Sequence, residues 1–212
     1  MTEERQLIAS SPPDNDRIES GVNRVTTHQQ TNGRRSIGKI VVLGHSGFIG
    51  RRVMRFLEGM IAGMQDRKPA VHGLSFPELD LADKNCVPSV ASLFDQETAV
   101  IMLSGIKRQL GDDLNVFQKN MNMVINLIYS LEQSPARRVV YVSSASVYGE
   151  EIENTAITEE TAIHAQSYYG IAKYASEGLL RKWAAAAPGR SLACIRPPLI
   201  YGPGDESRSY GP

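Results

Sequence analysis

I-V-V-L-G-H-S-G-F-I-G, residues Ile40 to Gly50, is the stretch from which the rest of the chain can be read. The apolar run Ile40 to Leu43 enters three glycines, Gly44, Gly47 and Gly50, and amphipathic sequence begins with Arg51, Arg52, Val53, Met54, Phe56 and Leu57. This is the pattern of a buried strand turning into a helix. Glycine at the corner opens backbone angles closed to other residues and removes the Cβ atoms that would keep a phosphate from the first N–H groups of the helix. Gly44, Gly47, Phe48, Ile49 and Gly50 are therefore the expected cradle for the pyrophosphate of a dinucleotide. A plain tight turn is the competing explanation, because the spacing G-x-x-G-x-x-G departs from the G-x-G-x-x-G fingerprint.

Outward from this corner the composition is that of an ordinary globular protein. Lys and Arg total 23, balanced by 23 Asp and Glu, so no bulk charge draws a nucleic acid. Cys86 and Cys194 lie far apart and match no metal spacing; free thiols in a reducing compartment are expected, and no metal. No apolar run is long enough to cross a bilayer, and the chain opens with Glu3, Glu4 and Arg5, not a basic and then apolar leader. The expected location is the cytoplasm, with no membrane partner. Residues 1–36 are polar, carry Pro12 and Pro13 and lack periodicity, so a disordered extension is expected; a small element around Leu7 and Ile8 is the alternative. Residues 37–212 are expected to form one α/β domain built on a doubly wound parallel sheet.

After the corner, a helix should run to about Gly63 and a second strand from Ala70 to Phe76, completing a right-handed βαβ unit. The residue ending that strand meets the adenosine ribose, where an acid favours NAD and repels a 2′-phosphate. Ser75 occupies the place without a charge, and Arg51 or Arg52 can accept a phosphate, so NAD and NADP both stay open. Asp80 and Leu81 follow in a loop before a helix near Val87 to Phe94; Asp80 either accepts from the adenine amino group or caps the helix. The strand Ala99 to Leu103 ends in Ser104 and Gly105, small enough for a ligand to approach the backbone. Lys107 and Arg108 are next, either facing an anionic substrate or serving as loop charges. Val116 to Leu131 has helical apolar spacing, and its Asn120 either bonds backbone across the sheet or lies on the polar face.

Arg138 to Ser144 reads as a strand with two serines at its carboxyl end, where open α/β sheets bind ligands. An acid- and threonine-rich loop, Glu150 to Thr161, leads to a helix beginning near Ser167. That helix carries Tyr169 and Lys173 four residues apart, on one face and about a turn from each other. A free tyrosine titrates near about 10, too high for a base at neutrality, and an adjacent ammonium lowers that value. Ser144 can hold a substrate oxygen beside the phenol. Tyr and Lys at this spacing also occur by chance on many helices.

Taken together, G-H-S-G-F-I-G, V-S-S-A-S-V-Y-G, Y-Y-G-I-A-K and R-P-P-L-I-Y-G-P-G (Arg196 to Gly204) resemble the extended short-chain dehydrogenase/reductase family. This group contains nucleotide-sugar epimerases, dehydratases and reductases, and the resemblance covers most of the chain from Lys39 onward. It implies a Rossmann-type domain that takes NAD or NADP, with Gly44, Gly47 and Gly50 on the pyrophosphate and Asp80 on the adenine. It makes Tyr169 the general acid/base, while Lys173 lowers the pKa of Tyr169 and holds the nicotinamide ribose. Ser144 bonds the reacting oxygen; Ser143 is one position too early, and Tyr168 lacks the spacing to Lys173.

The implied partner is a small-molecule substrate, a nucleotide-linked sugar, and a homodimer is expected through Val116 to Leu131 and Tyr168 to Trp183. Two departures stand out. Leu199 lies where epimerases and dehydratases of the family commonly carry asparagine; with Pro197 and Pro198 it looks more like reductase and dehydrogenase branches, though sequences of this kind also occur among sugar-nucleotide epimerase relatives. Family members also continue well beyond Pro212, so most of the C-terminal substrate domain is expected to be missing, with cofactor binding retained and turnover poor. A non-catalytic dinucleotide-binding or sensing protein is the alternative of another class.

Overall fold

Ile40 to Leu43 forms most of the strand around which the sheet is built. The computed structural model describes residues 36–149 and 156–205. Apart from Ser36, the expected polar extension therefore lies outside the described residues, as does the first half of the acidic loop. The elements in order are β1 (Lys39–Leu43), α1 (Phe48–Ala62), β2 (Ala70–Leu74), α2 (Val87–Ser92), β3 (Thr98–Met102), α3 (Leu114–Glu132), β4 (Arg138–Val142), α4 (Tyr168–Ala185) and β5 (Ser191–Ile195). All pairings are parallel and the order is β2-β1-β3-β4-β5. The chain leaves β1 toward one edge and later returns to pair β3 on its other side. The gap between the carboxyl ends of β1 and β3 is thus the topological switch point where such sheets bind ligands.

Strand alternation sorts side chains onto two unequal faces. Val41 and Leu43 join Val100, Met102, Val139 and Tyr141 on the face covered by α2, α3 and α4, with Leu127, Leu131, Leu180 and Trp183 filling the layer between. Ile40 and Val42 point the other way, against Leu57, Val53 and Met54 of α1. Among the described residues α1 is the only helix on this second face, and toward β5 it is open: Ile195 is 50% exposed. No helix of the described residues is long and apolar enough to cross a membrane.

Caps explain where two helices begin. Asp113 accepts from Val116 N–H at 2.9 Å, which starts α3 earlier than its apolar spacing indicates, and Ser167 accepts from Gly170 N–H at 3.0 Å. By contrast, Gly47, the residue before α1, gives that helix no side-chain cap. Two strands are shorter than expected. β2 ends at Leu74, whose carbonyl accepts Gly44 N–H at 2.7 Å as the chain at Gly44 turns away. β4 ends at Val142, because Ser144 caps a short 3-10 turn over Ala145–Tyr148.

Gly44 has φ of 92°, and a Cβ there would lie 2.7 Å from the main-chain nitrogen of Ser104. Gly44→Ala should therefore destabilise the chain by about 2 kcal/mol or more in urea unfolding. Gly47→Ala, at φ −66° with its nearest neighbour 3.4 Å away, should cost under about 1 kcal/mol. Equal costs would mean that close packing does not govern the corner.

Candidate active site

Two adjoining cavities, about 320 and 440 Å³, lie along the carboxyl ends of the strands and share Gly44, Gly47, Leu103 and Gly105. Phe48, Ile49, Gly50, Ser144, Tyr169 and Lys173 line the first. Ser75, Asp80, Leu81 and Ser104 line the second. The residues singled out from sequence thus come together along one groove, although they are spread over 130 positions.

The three glycines play different parts. Gly44 is demanded by its backbone angle, and Gly50 by packing: a Cβ there would overlap the carbonyl oxygens of Gly44 and His45. Nothing in the protein demands Gly47, whose missing side chain leaves space on the groove side, where the first N–H groups of α1 have no acceptor within the helix. That space and those donors fit a dinucleotide pyrophosphate.

In the second cavity the Ser75 hydroxyl is built into the corner. It accepts from Ser46 N–H at 3.0 Å and pairs with His45 Nδ1 at 2.9 Å. Asp80 is exposed and accepts from Ala82 N–H at 2.8 Å, while Asp83 is the residue that caps the next turn. Arg51 and Arg52, read from sequence as able to accept a phosphate, are engaged with the main chain instead. Arg51 donates to Ser46 O at 2.7 Å and Gly204 O at 3.3 Å; Arg52 donates to Phe48 O and Pro203 O and lies 3.8 Å from the centre of the Phe48 ring. Lys107 and Arg108 line the first cavity, Lys107 paired with Asp205 at 3.6 Å.

Asn120 is buried and does bond backbone. Its Oδ1 accepts Ile106 N–H at 2.7 Å and its Nδ2 donates to Ile106 O at 3.0 Å, fixing the loop after β3. That loop includes Gly105, where a Cβ would come within 3.4 Å of Lys173 Nζ. Lys173 is buried and donates to Val142 O at 2.9 Å, with its Nζ 5.0 Å from the Tyr141 ring centre and 5.7 Å from that of Tyr169. Tyr168 is 43% exposed and packs edge-on against Phe117, leaving Tyr169 as the tyrosine of the groove.

The electrostatics correct one expectation. The ammonium was expected to lower the Tyr169 pKa, but in this chain burial raises it, and the opposing influence is a hydrogen bond with Ser144. Burial also brings Lys173 down to about 8, opposed by the negative charge of Glu177. The phenol is therefore neutral at rest. Ser144 is half-buried and its Oγ lies 3.0 Å from that of Ser146, whereas Ser143 is buried next to Glu177 of α4.

The sequence reading missed the groups beneath the site. Glu177, with 0% exposure, accepts from Arg196 Nε at 2.9 Å, Arg196 Nη2 at 2.7 Å and Arg181 Nη2 at 2.7 Å. Arg196 Nη1 donates to the Tyr148 hydroxyl at 2.8 Å. Burial pushes the Glu177 carboxyl up, but the arginines outweigh it and hold the group below its ordinary value. The available signal was an acid one turn beyond Lys173 and an arginine opening R-P-P.

Lys173 sets a signed pH dependence. Its folded value of about 8 lies below the unfolded lysine value, so between the two the unfolded chain holds a proton that the folded chain has released. Stability referable to Lys173 must rise with pH through this window. The unfolding free energy of the parent minus that of Lys173→Met should climb from pH 8 toward about 10; a flat difference would show that the ammonium is not buried.

Residues 40–211 match the model of the NAD dependent epimerase/dehydratase family. Among curated proteins, an Escherichia coli O157:H7 N-acetyl-alpha-D-glucosaminyl-diphospho-ditrans,octacis-undecaprenol 4-epimerase is 27% identical over 81% of this chain. The UDP-glucose 4-epimerase of Bacillus subtilis is 30% identical over 74%. The chain spans 51% of each, about half the length of the curated relatives it matches. Among solved structures, RMD from Pseudomonas aeruginosa complexed with NADPH superposes with a TM-score of 0.63 at 26% identity, covering 80% of this chain and 57% of that one. The Thermus thermophilus UDP-glucose 4-epimerase in complex with NAD shares the fold, with a TM-score of 0.62 at 22% identity, covering 74% and 54%. With its glycine corner, parallel sheet and strand-end groove inside the matched region, the chain belongs to the NAD-dependent epimerase/dehydratase family.

Proposed function

We propose that this chain is the cofactor-binding portion of an NAD(P)-dependent epimerase, dehydratase or reductase acting on a nucleotide-linked sugar. The observation that carries the reading is the single groove in which the glycine cradle and Ser144, Tyr169 and Lys173 line one cavity. A bound nicotinamide supplies hydride acceptance or donation, chemistry that no amino-acid side chain provides. The residues of the chain do the rest.

Gly47 and the free N–H groups of α1 hold the pyrophosphate. Ser75, Asp80, Leu81 and Ser104 line the adenosine lobe, and Ser75 places no carboxylate against a 2′-phosphate, so NAD and NADP are both accommodated. Ser144 orients the substrate oxygen. Tyr169 passes a proton to or from that oxygen, and Lys173, buried beside its ring, holds the nicotinamide ribose. The two curated relatives named above are, by name, epimerases of sugars carried on a diphosphate, which supports the substrate class. The side chain of Leu199, which lines the same cavity, offers that diphosphate no hydrogen-bond donor. A purely sensing role has no use for an acid/base tyrosine, a lysine and a serine in one cavity.

Calorimetric titration with NAD and NADP, oxidised and reduced, tests the reading on this chain. The parent should bind at least one form and Gly47→Trp none; absence of binding by the parent would refute it.

We also place a homodimer contact on α3 and α4, which expose Tyr129, Ile171 and Tyr174. Sedimentation at micromolar concentration should show a dimer that Tyr174→Glu dissociates, and a monomeric parent would exclude it. The unbridged cysteines, Cys86 and Cys194, suit the cytoplasm. Recovery of the native protein in a membrane or secreted fraction would contradict that location.

A further inference from the structure

Glu177 has no place in the proton path, yet it is the most deeply enclosed acid among the described residues. Three guanidinium N–H groups donate to it, two from Arg196 and one from Arg181. It lies on α4 one turn beyond Lys173 and two beyond Tyr169, so the three side chains follow one face of one helix. Arg196 ends the run that leaves β5, and the next residue lines the groove. Pro197 O accepts Ala145 N–H at 2.8 Å, directly after Ser144, and Ile195 O accepts Ser143 N–H at 2.7 Å. One carboxylate therefore touches both supports of the site, the helix carrying Tyr169 and Lys173 and the segment beside Ser144.

We propose that Glu177 is a positioning residue: a buried counter-charge one turn behind Lys173 that also clamps Arg196 and, through it, the Pro197 wall against Ser144. This rests on the reading of Tyr169 and Lys173 given above. Burying an ion pair is seldom favourable for stability alone, since apolar residues of similar volume hold a core at least as well. What the carboxylate adds is charge and direction. Lys173 otherwise faces the rings of Tyr141 and Tyr169 and the carbonyl of Val142, none of which is an anion at neutral pH. Around Glu177 lie Arg181 on α4, Arg196 after β5, Ser143 and Tyr141 on the β4 side, Cys194 on β5 and Tyr148, the last reached through Arg196. With both arginines already turned to Glu177, the carboxylate is the negative charge available to Lys173.

The test needs neither cofactor nor turnover. The Lys173 Cε signal, assigned with Lys173→Met, is titrated by NMR in the parent and in Glu177→Gln, and exchange of the Ala145 amide is followed in both. In folded Glu177→Gln the Lys173 midpoint should move to lower pH and Ala145 should exchange faster. Either readout staying at the parent's value overturns the proposal. Should Glu177→Gln not fold, the double variant Glu177→Met with Arg196→Met removes both buried charges and should fold, showing the same two changes; parental values there overturn it equally. Failure of the parent to bind NAD or NADP refutes the proposed function and leaves these readouts interpretable.

Discussion

The architecture depends on how closely the first turn of α1 approaches the end of β1. Gly50 lies on the carbonyls of Gly44 and His45 with no room for a methyl group, and Gly44 lies against the backbone after β3. These contacts aim the helix's unpaired N–H groups into the gap between β1 and β3. Ser75 secures the same corner from β2 through Ser46 and His45. Three strands thus converge on a turn of a few residues, and the groove runs outward from it in both directions.

The far end of the groove works by a different principle. Besides the close approach of Gly170 to the Ser146 carbonyl, its residues are held by charge enclosed away from water. Lys173 is anchored to Val142 O, Glu177 to two arginines, and the loop over the lysine to Asn120. Desolvation moves Tyr169 and Lys173 in opposite directions, each toward its neutral form. Burial thus favours the protonated phenol of Tyr169 and opposes the positive charge on Lys173.

Much of this was legible because the signals were local. The corner combines apolar run, glycines and amphipathic helix within twenty residues, and Tyr169 and Lys173 are one turn apart on a capped helix. The strand ends were less legible, since β2 and β4 stop where tertiary bonds at Leu74 and Ser144 bend the chain, not where apolar sequence ends. The direction of the Tyr169 shift was misread for a related reason: spacing along a helix reports proximity to a charge but says nothing of burial. Glu177 and Arg196 escaped because they are nineteen residues apart, and an acid or arginine in sequence is solvated far more often than enclosed. Arg51 and Arg52 show the same blindness in reverse, their partners lying some 150 positions downstream.

The uneven covering of the sheet bears on how the molecule behaves in company. On the side where α1 is the only helix among the described residues, β5 is an edge whose outward side chains alternate with those tucked under α4. Its outer row of backbone donors and acceptors is bonded to no other strand among the described residues, and Ile195 is half bare beside it. Such an edge is adhesive: it can extend the ladder with any strand of compatible length, including the β5 of a neighbour. This rim is a surface for association in concentrated solution, and a charged side chain at the exposed Ala193 would oppose it.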